Sequence, residues 1–185
     1  MMRAIIVYAL TALAASATAY TYTSEKGRFT IEVPVGWTVE ENSVDGSEQG
    51  PIKWTLVNIK PPPRVKEFAA IMHYCDRSGF EDSWRKERGK EFTLSGYHDV
   101  LVDEFSKNNS LRIARDKYLT PTEVRAMNVR SGFISYFAST TGRDEGGVMG
   151  MMTTNSKMFI IMSGASDEVG SNAGIKILNS FRAFD

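Results

Sequence analysis

Three side chains carry most of the chemistry open to this 185-residue chain: the two histidines, His73 and His98, and the single cysteine, Cys75. Imidazole titrates near neutral pH and serves as a base or metal ligand, and a thiolate is a nucleophile or ligand. A hydrolase needs a nucleophile, a base and an orienting acid that converge in space. Neither histidine lies in a recognisable catalytic frame, and no Gly-x-Ser-x-Gly elbow occurs. His73 and Cys75 are two apart on a predicted strand and so share a face, which permits a Cys–His pair or half a metal site. A structural zinc site takes four ligands, and nothing nearby supplies the other two, so the pair reads as neighbouring core residues.

The carboxylates give no stronger signal. Asp99, Asp103 and Glu104 fall along one predicted strand, and Asp144-Glu145 sit in a Gly-rich loop. Calcium wants several oxygens from one tight loop, and no EF-hand pattern appears, so these read as solvated edge and loop charges. No Gly-rich phosphate cradle and no dinucleotide fingerprint follows a predicted strand. The sequence therefore nominates no catalytic, cofactor-binding or metal residue, and no cofactor.

The elements that would position any site begin with Gly27 to Glu40, GRFTIEVPVGWTVE. Phe29, Ile31 and Val33 alternate with polar residues, as in a strand with one wet side. Pro34 ends it, Gly36 permits a positive φ, and Trp37 is a core anchor at the start of a second strand. The stretch is expected to form an opening hairpin. Glu41 to Gly50 reads as loop and Ile52 to Ile59 as a strand, stopped by Pro61-Pro62-Pro63, a stiff spacer. Phe68 to Cys75 is apolar on both faces, the mark of a central strand. Gly79 to Phe92 is a helix with Phe80 and Trp84 inward and Glu81–Arg85 and Asp82–Lys86 paired outward; its basic cluster Arg85, Lys86, Arg88, Lys90 is a solvated face.

His98 to Phe105, centred on Val100, Leu101 and Val102, is expected to be a strand, with a turn at Asn108-Asn109 and a further strand from Leu111 to Tyr118. Thr120-Pro121-Thr122-Glu123 has the spacing of a helix cap. Phe133 to Ser139, Gly147 to Thr153 and Lys157 to Ser163 form an antiparallel meander whose cluster Met149, Met151, Met152, Met158 and Met162 fills the core. A helix from Ser166 to Phe181 carries an apolar stripe of Val169, Ala173, Ile177 and Phe181.

The entry pattern Gly27, Phe29, Ile31, Pro34, Gly36, Trp37, with the exit residues Ile177, Leu178, Ser180 and Phe181, resembles the PsbP/Mog superfamily. That superfamily includes the extrinsic PsbP subunit of photosystem II, the Ran-binding Mog nuclear import factor, and bacterial periplasmic or secretion-adaptor relatives. The two motifs bracket nearly the whole chain. The resemblance implies an α+β fold, an α/β/α sandwich with a central, mostly antiparallel sheet flanked by helices. It implies no shared catalytic residue.

The first nineteen residues read as a signal peptide: Arg3, an apolar Ala4 to Ala15, and the small-x-small site Ala17-Thr18-Ala19. Cleavage there gives a single domain from Tyr20 to Asp185, secreted or periplasmic, with no cysteine for a lipid anchor and no apolar run long enough to span a membrane. Without Arg3 the basic side chains number one fewer than the 22 acidic ones, a net charge near −1 that argues against nucleic acid as a partner. A lone cysteine forms no intramolecular disulfide, so Cys75 is expected buried and inert. The leading functional expectation is a non-enzymatic module that binds a protein partner. The alternatives are a small-ligand or ion carrier with a pocket lined by Trp54, Tyr74 and the methionines, and an enzyme with a dispersed site. The last requires His73 or His98 in a cleft beside a carboxylate.

Overall fold

A computed structural model describes residues 19–44, 52–63, 70–108, 111–139, 146–165 and 168–184. The expected leader, Phe68-Ala69, the Asp144-Glu145 loop and the Ser166 cap lie outside the described residues. Two antiparallel sheets organise the chain. The larger has seven strands in the order β3 (Thr38–Val44), β4 (Trp54–Lys60), β5 (Ala70–Asp76), β9 (Lys157–Ala165), β8 (Gly146–Thr153), β7 (Ser131–Ser139), β6 (Leu111–Tyr118). The smaller runs β1 (Ala19–Ser24), β2 (Phe29–Pro34), β10 (Arg182–Ala183). The helices are α1 (Arg77–Arg88), α2 (Leu94–Asn108), α3 (Pro121–Met127) and α4 (Glu168–Ser180).

The meander β7–β8–β9 and the interior strand β5 are where the hydrophobic pattern put them. Several expectations fail. Glu41 to Val44, read as loop for their mostly polar side chains, are the second half of β3, held by the backbone ladder to β4 from Glu41↔Val57 to Val44↔Trp54. The Gly27–Glu40 stretch is not a hairpin, because β2 and β3 belong to different sheets. Phe29, Ile31 and Val33 are fully buried as the alternation requires, but β2 pairs with β1, in register from Ala19↔Pro34 to Ser24↔Phe29. Pro34 has no N–H to extend the ladder. Its carbonyl accepts from Trp37 N at 3.1 Å across a turn in which Gly36 takes φ +85°, and the chain leaves for the second sheet. The true hairpin turn lies earlier, where Gly27 N donates to Ser24 Oγ at 2.8 Å and Arg28 adopts φ +57°.

Residues 98–105 are helical, inside the fifteen-residue α2. The Val100-Leu101-Val102 run has high β-propensity, but Leu94, Tyr97 and Leu101 recur at three and four residues, the period of a helix face. Thr93 starts the helix. Its Oγ1 accepts from Gly96 N at 3.1 Å and its carbonyl from Tyr97 N at 3.1 Å. The expected ion pairs of α1 are also re-partnered: Glu81 binds Arg77 and Asp82 binds Arg85. Glu91, beyond the helix, grips Arg85 with both oxygens, at 2.7 and 2.9 Å, and so fixes that guanidinium. Gly89 closes α1 at φ +66°. The Thr120–Glu123 capping box forms as its spacing requires.

Adjacent residues of the large sheet feed two apolar clusters, since strand neighbours point to opposite faces. Phe159 and Ile161 join Phe29, Ile31, Ile177 and Phe181 in the cluster that α4 and the small sheet complete. Met158 and Ile160 join Phe80, Trp84, Leu94 and Tyr97 in the cluster that α1 and α2 complete. Met149, Met151, Met152 and Met158 are fully buried filler. α4 comes close to the sheet because Gly150 and Gly174 leave room: a Cβ on them would sit 2.3 Å from Leu178 Cδ1 and 2.2 Å from Ser163 Oγ. Among the described residues no helix is long and apolar enough to cross a membrane.

Candidate functional site

Moving residues 98–105 into a helix gives His98 a partner no linear reading provides. From α2 its imidazole reaches β6, where Nε2 lies 2.6 Å from Asp116 Oδ2. Ser135 of β7, across the register from Asp116, donates Oγ–H to Asp116 Oδ1 at 2.9 Å and lies 3.4 Å from His98 Nε2. Phe133 packs edge-on to the imidazole with centroids 4.5 Å apart.

Serine, histidine and aspartate together suggest a triad, and the geometry argues otherwise. A triad places the hydroxyl on one ring nitrogen and the orienting carboxylate on the other. Here both meet at Nε2, and the Ser135 hydroxyl, fully buried, is spent on Asp116. Asp99, on the far nitrogen, is 3.4 Å away and largely exposed. The arrangement ties α2 to β6 and β7.

His73 and Cys75 do share a face, as their spacing requires. His73 is half-buried edge-on to Trp54, at 6.1 Å between centroids, and burial holds its imidazole below the ordinary value. Cys75 is buried, and burial, then the charge of Asp76, pushes its thiol up to about 12. Among the described residues no three His, Cys, Asp or Glu side chains are grouped to hold a metal ion. The expected ligand pocket lined by Trp54, Tyr74 and the methionines does not form. Thr55 is the register partner of Tyr74, so Trp54, one residue earlier, faces the opposite side of the sheet.

A second polar cluster has no counterpart in the sequence reading. Glu41 of β3 accepts from Tyr22 of β1 at 2.6 Å and from Tyr74 of β5 at 2.5 Å, joining the two sheets. Burial alone would raise the Glu41 carboxyl, but the hydrogen bonds from Tyr22, Tyr74 and Ser24 carry it below the ordinary carboxylate value. Burial, then the bond to Glu41, raises both phenols, Tyr74 to about 12. One signal was available: Tyr20 and Tyr22 alternate with threonines, a strand pattern ahead of Gly27.

An open concavity of about 550 Å³ lies on the outer face of the small sheet beside α4. Thr21, Thr30 and Glu32 line it from the strands, and Lys176, Asn179 and Arg182 from α4 and β10. Ser180 Oγ accepts from Glu32 N at 2.8 Å where the two-residue β10 stops covering β2. Neither Lys176 nor Arg182 makes an ion pair among the described residues. A second cleft of about 310 Å³ lies between α1 and α2.

No protein-family model matches this chain, and no curated protein matches its sequence. Its structure is similar to the solution structure of cyanobacterial PsbP (CyanoP) from Synechocystis sp. PCC 6803, with a TM-score of 0.57 over 91% of this chain and 94% of that one. The two are 8% identical, so the likeness is one of fold. The chain has a PsbP-like α+β fold, as the entry and exit motifs implied.

Proposed function

We propose that this protein is a secreted or periplasmic, non-enzymatic interaction domain of α/β/α sandwich form that binds a protein partner. The observation carrying this reading is the PsbP-like fold spanning more than nine-tenths of both chains. The N-terminal leader pattern supports the compartment. Fold alone names no partner, and the side chains best suited to chemistry, His98 and Ser135, are engaged in holding α2 to the sheet. The surface suited to a partner is the cleft beside α4: it is concave, lined by hydroxyl groups, and carries two cations that make no ion pair among the described residues against the one carboxylate of Glu32. A loop bearing Asp or Glu fits it by charge.

The test is affinity capture with the tagged chain, exported through its own leader, from the periplasmic or secreted fraction of its source. Bound proteins are identified by mass spectrometry, and the same capture is run with Lys176→Glu/Arg182→Glu. A stoichiometric protein partner, lost in the double variant, supports both the role and the surface. A partner retained by the variant moves the surface elsewhere. Capture that yields no protein overturns the reading.

A further inference from the structure

We infer that the cleft between α1 and α2 binds a small organic cation of the quaternary-ammonium alcohol class, an activity separate from partner binding. Aromatic rings form one part of this cleft: Trp54 from β4, Phe80 and Trp84 from α1, and Tyr97 from α2. They hold one another rigidly, with Phe80 edge-on to Tyr97 at 5.2 Å and Trp84 edge-on to Tyr97 at 5.6 Å between centroids. Glu87 of α1 and Glu104 of α2 bring a carboxylate from each wall. Glu87 accepts only from Ser83 Oγ, at 3.2 Å, and neither carboxylate makes an ion pair among the described residues. Aromatic faces joined to carboxylates are the surroundings that attract quaternary ammonium ions, whose charge is diffuse and cheaply desolvated.

Two further observations point to a ligand. The indole N–H of Trp84 is buried and has no hydrogen-bond partner among the described residues. Buried donors are almost always paired, and a ligand hydroxyl brought into the cleft would supply the acceptor. The ring of the same residue already draws a cation, since the Arg88 guanidinium carbon stands 5.5 Å from its centroid. Arg88 is exposed and makes no ion pair among the described residues, so it occupies that ring face as a displaceable stand-in.

Choline is the probe, and the indole N–H resonances in a nitrogen–proton correlation spectrum are the readout. The chain has three tryptophans, and Trp37 lies in the other apolar cluster as an internal control. The expected result is a saturable downfield shift of the Trp84 indole signal with choline, with the Trp37 signal still. The neutral isostere 3,3-dimethylbutanol gives no such shift. Glu104→Gln and Glu87→Gln alter exposed side chains, the second keeping an amide oxygen to accept from Ser83 Oγ, and each weakens choline by about 2- to 5-fold. Arg88→Ala frees the ring face and tightens it. No saturable shift, an equal response to the isostere, or unchanged affinity in both glutamate variants overturns the inference.

Discussion

Replacing Glu41 by Ala removes the one carboxylate that receives both Tyr22 and Tyr74, and should loosen the seam between the two sheets. A hydrogen bond to a charged group contributes about 1.5–3 kcal/mol when buried. Glu41 is only half-buried, so solvent screening brings the pair to about 2–3 kcal/mol in total. Most of the loss comes from Tyr74, whose buried hydroxyl is left without its carboxylate acceptor. Tyr74→Phe in the Glu41→Ala background removes a hydroxyl left with only Thr55 and Ser24 as partners, so the double variant should be less destabilised than the two single losses added, by about 1 kcal/mol. The pH dependence has a fixed sign. The folded carboxyl is held below its unfolded value, so its contribution is complete above the unfolded glutamate pKa of about 4.3 and fades as pH falls through the folded value. In urea titrations, the stability gap between the wild type and Glu41→Gln should be flat from neutral pH down to about pH 5 and then close. A gap below about 0.5 kcal/mol at neutral pH, or one that does not change with acid, would refute the clamp.

Gly174→Ala sets helix propensity, which favours alanine by about 1 kcal/mol, against a methyl that would sit 2.2 Å from Ser163 Oγ and 2.5 Å from its Cβ. The clash should win, lowering the urea midpoint by the equivalent of about 1–3 kcal/mol, and a stabilised variant would show that α4 does not pack as closely as described. Cys75, with its thiol pushed up to about 12, should resist a thiol-specific reagent at pH 8 in the native state and react at once in denaturant; rapid native labelling would contradict its burial.

The parts legible in the sequence were those whose cues are local. β7, β8 and β9 were readable because apolar alternation was bounded by turn residues, and α3 because Thr120, Pro121 and Glu123 supply cap, first-turn proline and reciprocal acceptor within four positions. Where two sheets compete for a strand, local cues fall silent. Pro34 and Gly36 announce a reversal without saying which sheet receives Thr38, and the pairing of β2 with β1 and β10 joins residue 30 to residue 182. α2 was misread for a different reason. Its β-branched centre outweighed a cap at Thr93 and a three-to-four spacing visible only when Leu94 and Tyr97 are counted with Leu101.

The polar clusters were harder still, because each draws on three distant segments. Even so, Ser135 stands between Phe133 and Phe137 on an inward face, and a polar residue at a core position needs a buried partner. That mark asks for a buried partner but cannot say that it is Asp116 and His98, which come from two other segments.

The two concavities draw on elements from opposite faces of the seven-stranded sheet: one on α4 and the small sheet, the other on α1 and α2. Between them stands a core without a polar chain linking them among the described hydrogen bonds: His98, Asp116 and Ser135 tie α2 to β6 and β7, and Tyr22, Glu41 and Tyr74 tie β1 to β3 and β5. Coupling between sites requires an element that both ligands bias. A packed sheet held by separate ties offers none, so the two activities should be separable. Lys176→Glu/Arg182→Glu should abolish partner capture and leave the Trp84 indole response to choline intact, and Glu104→Gln should weaken choline and leave partner capture intact. If either variant moved both readouts, a single binding event spread over the whole domain would be the better account, and the sheet would have to be a relay between its faces.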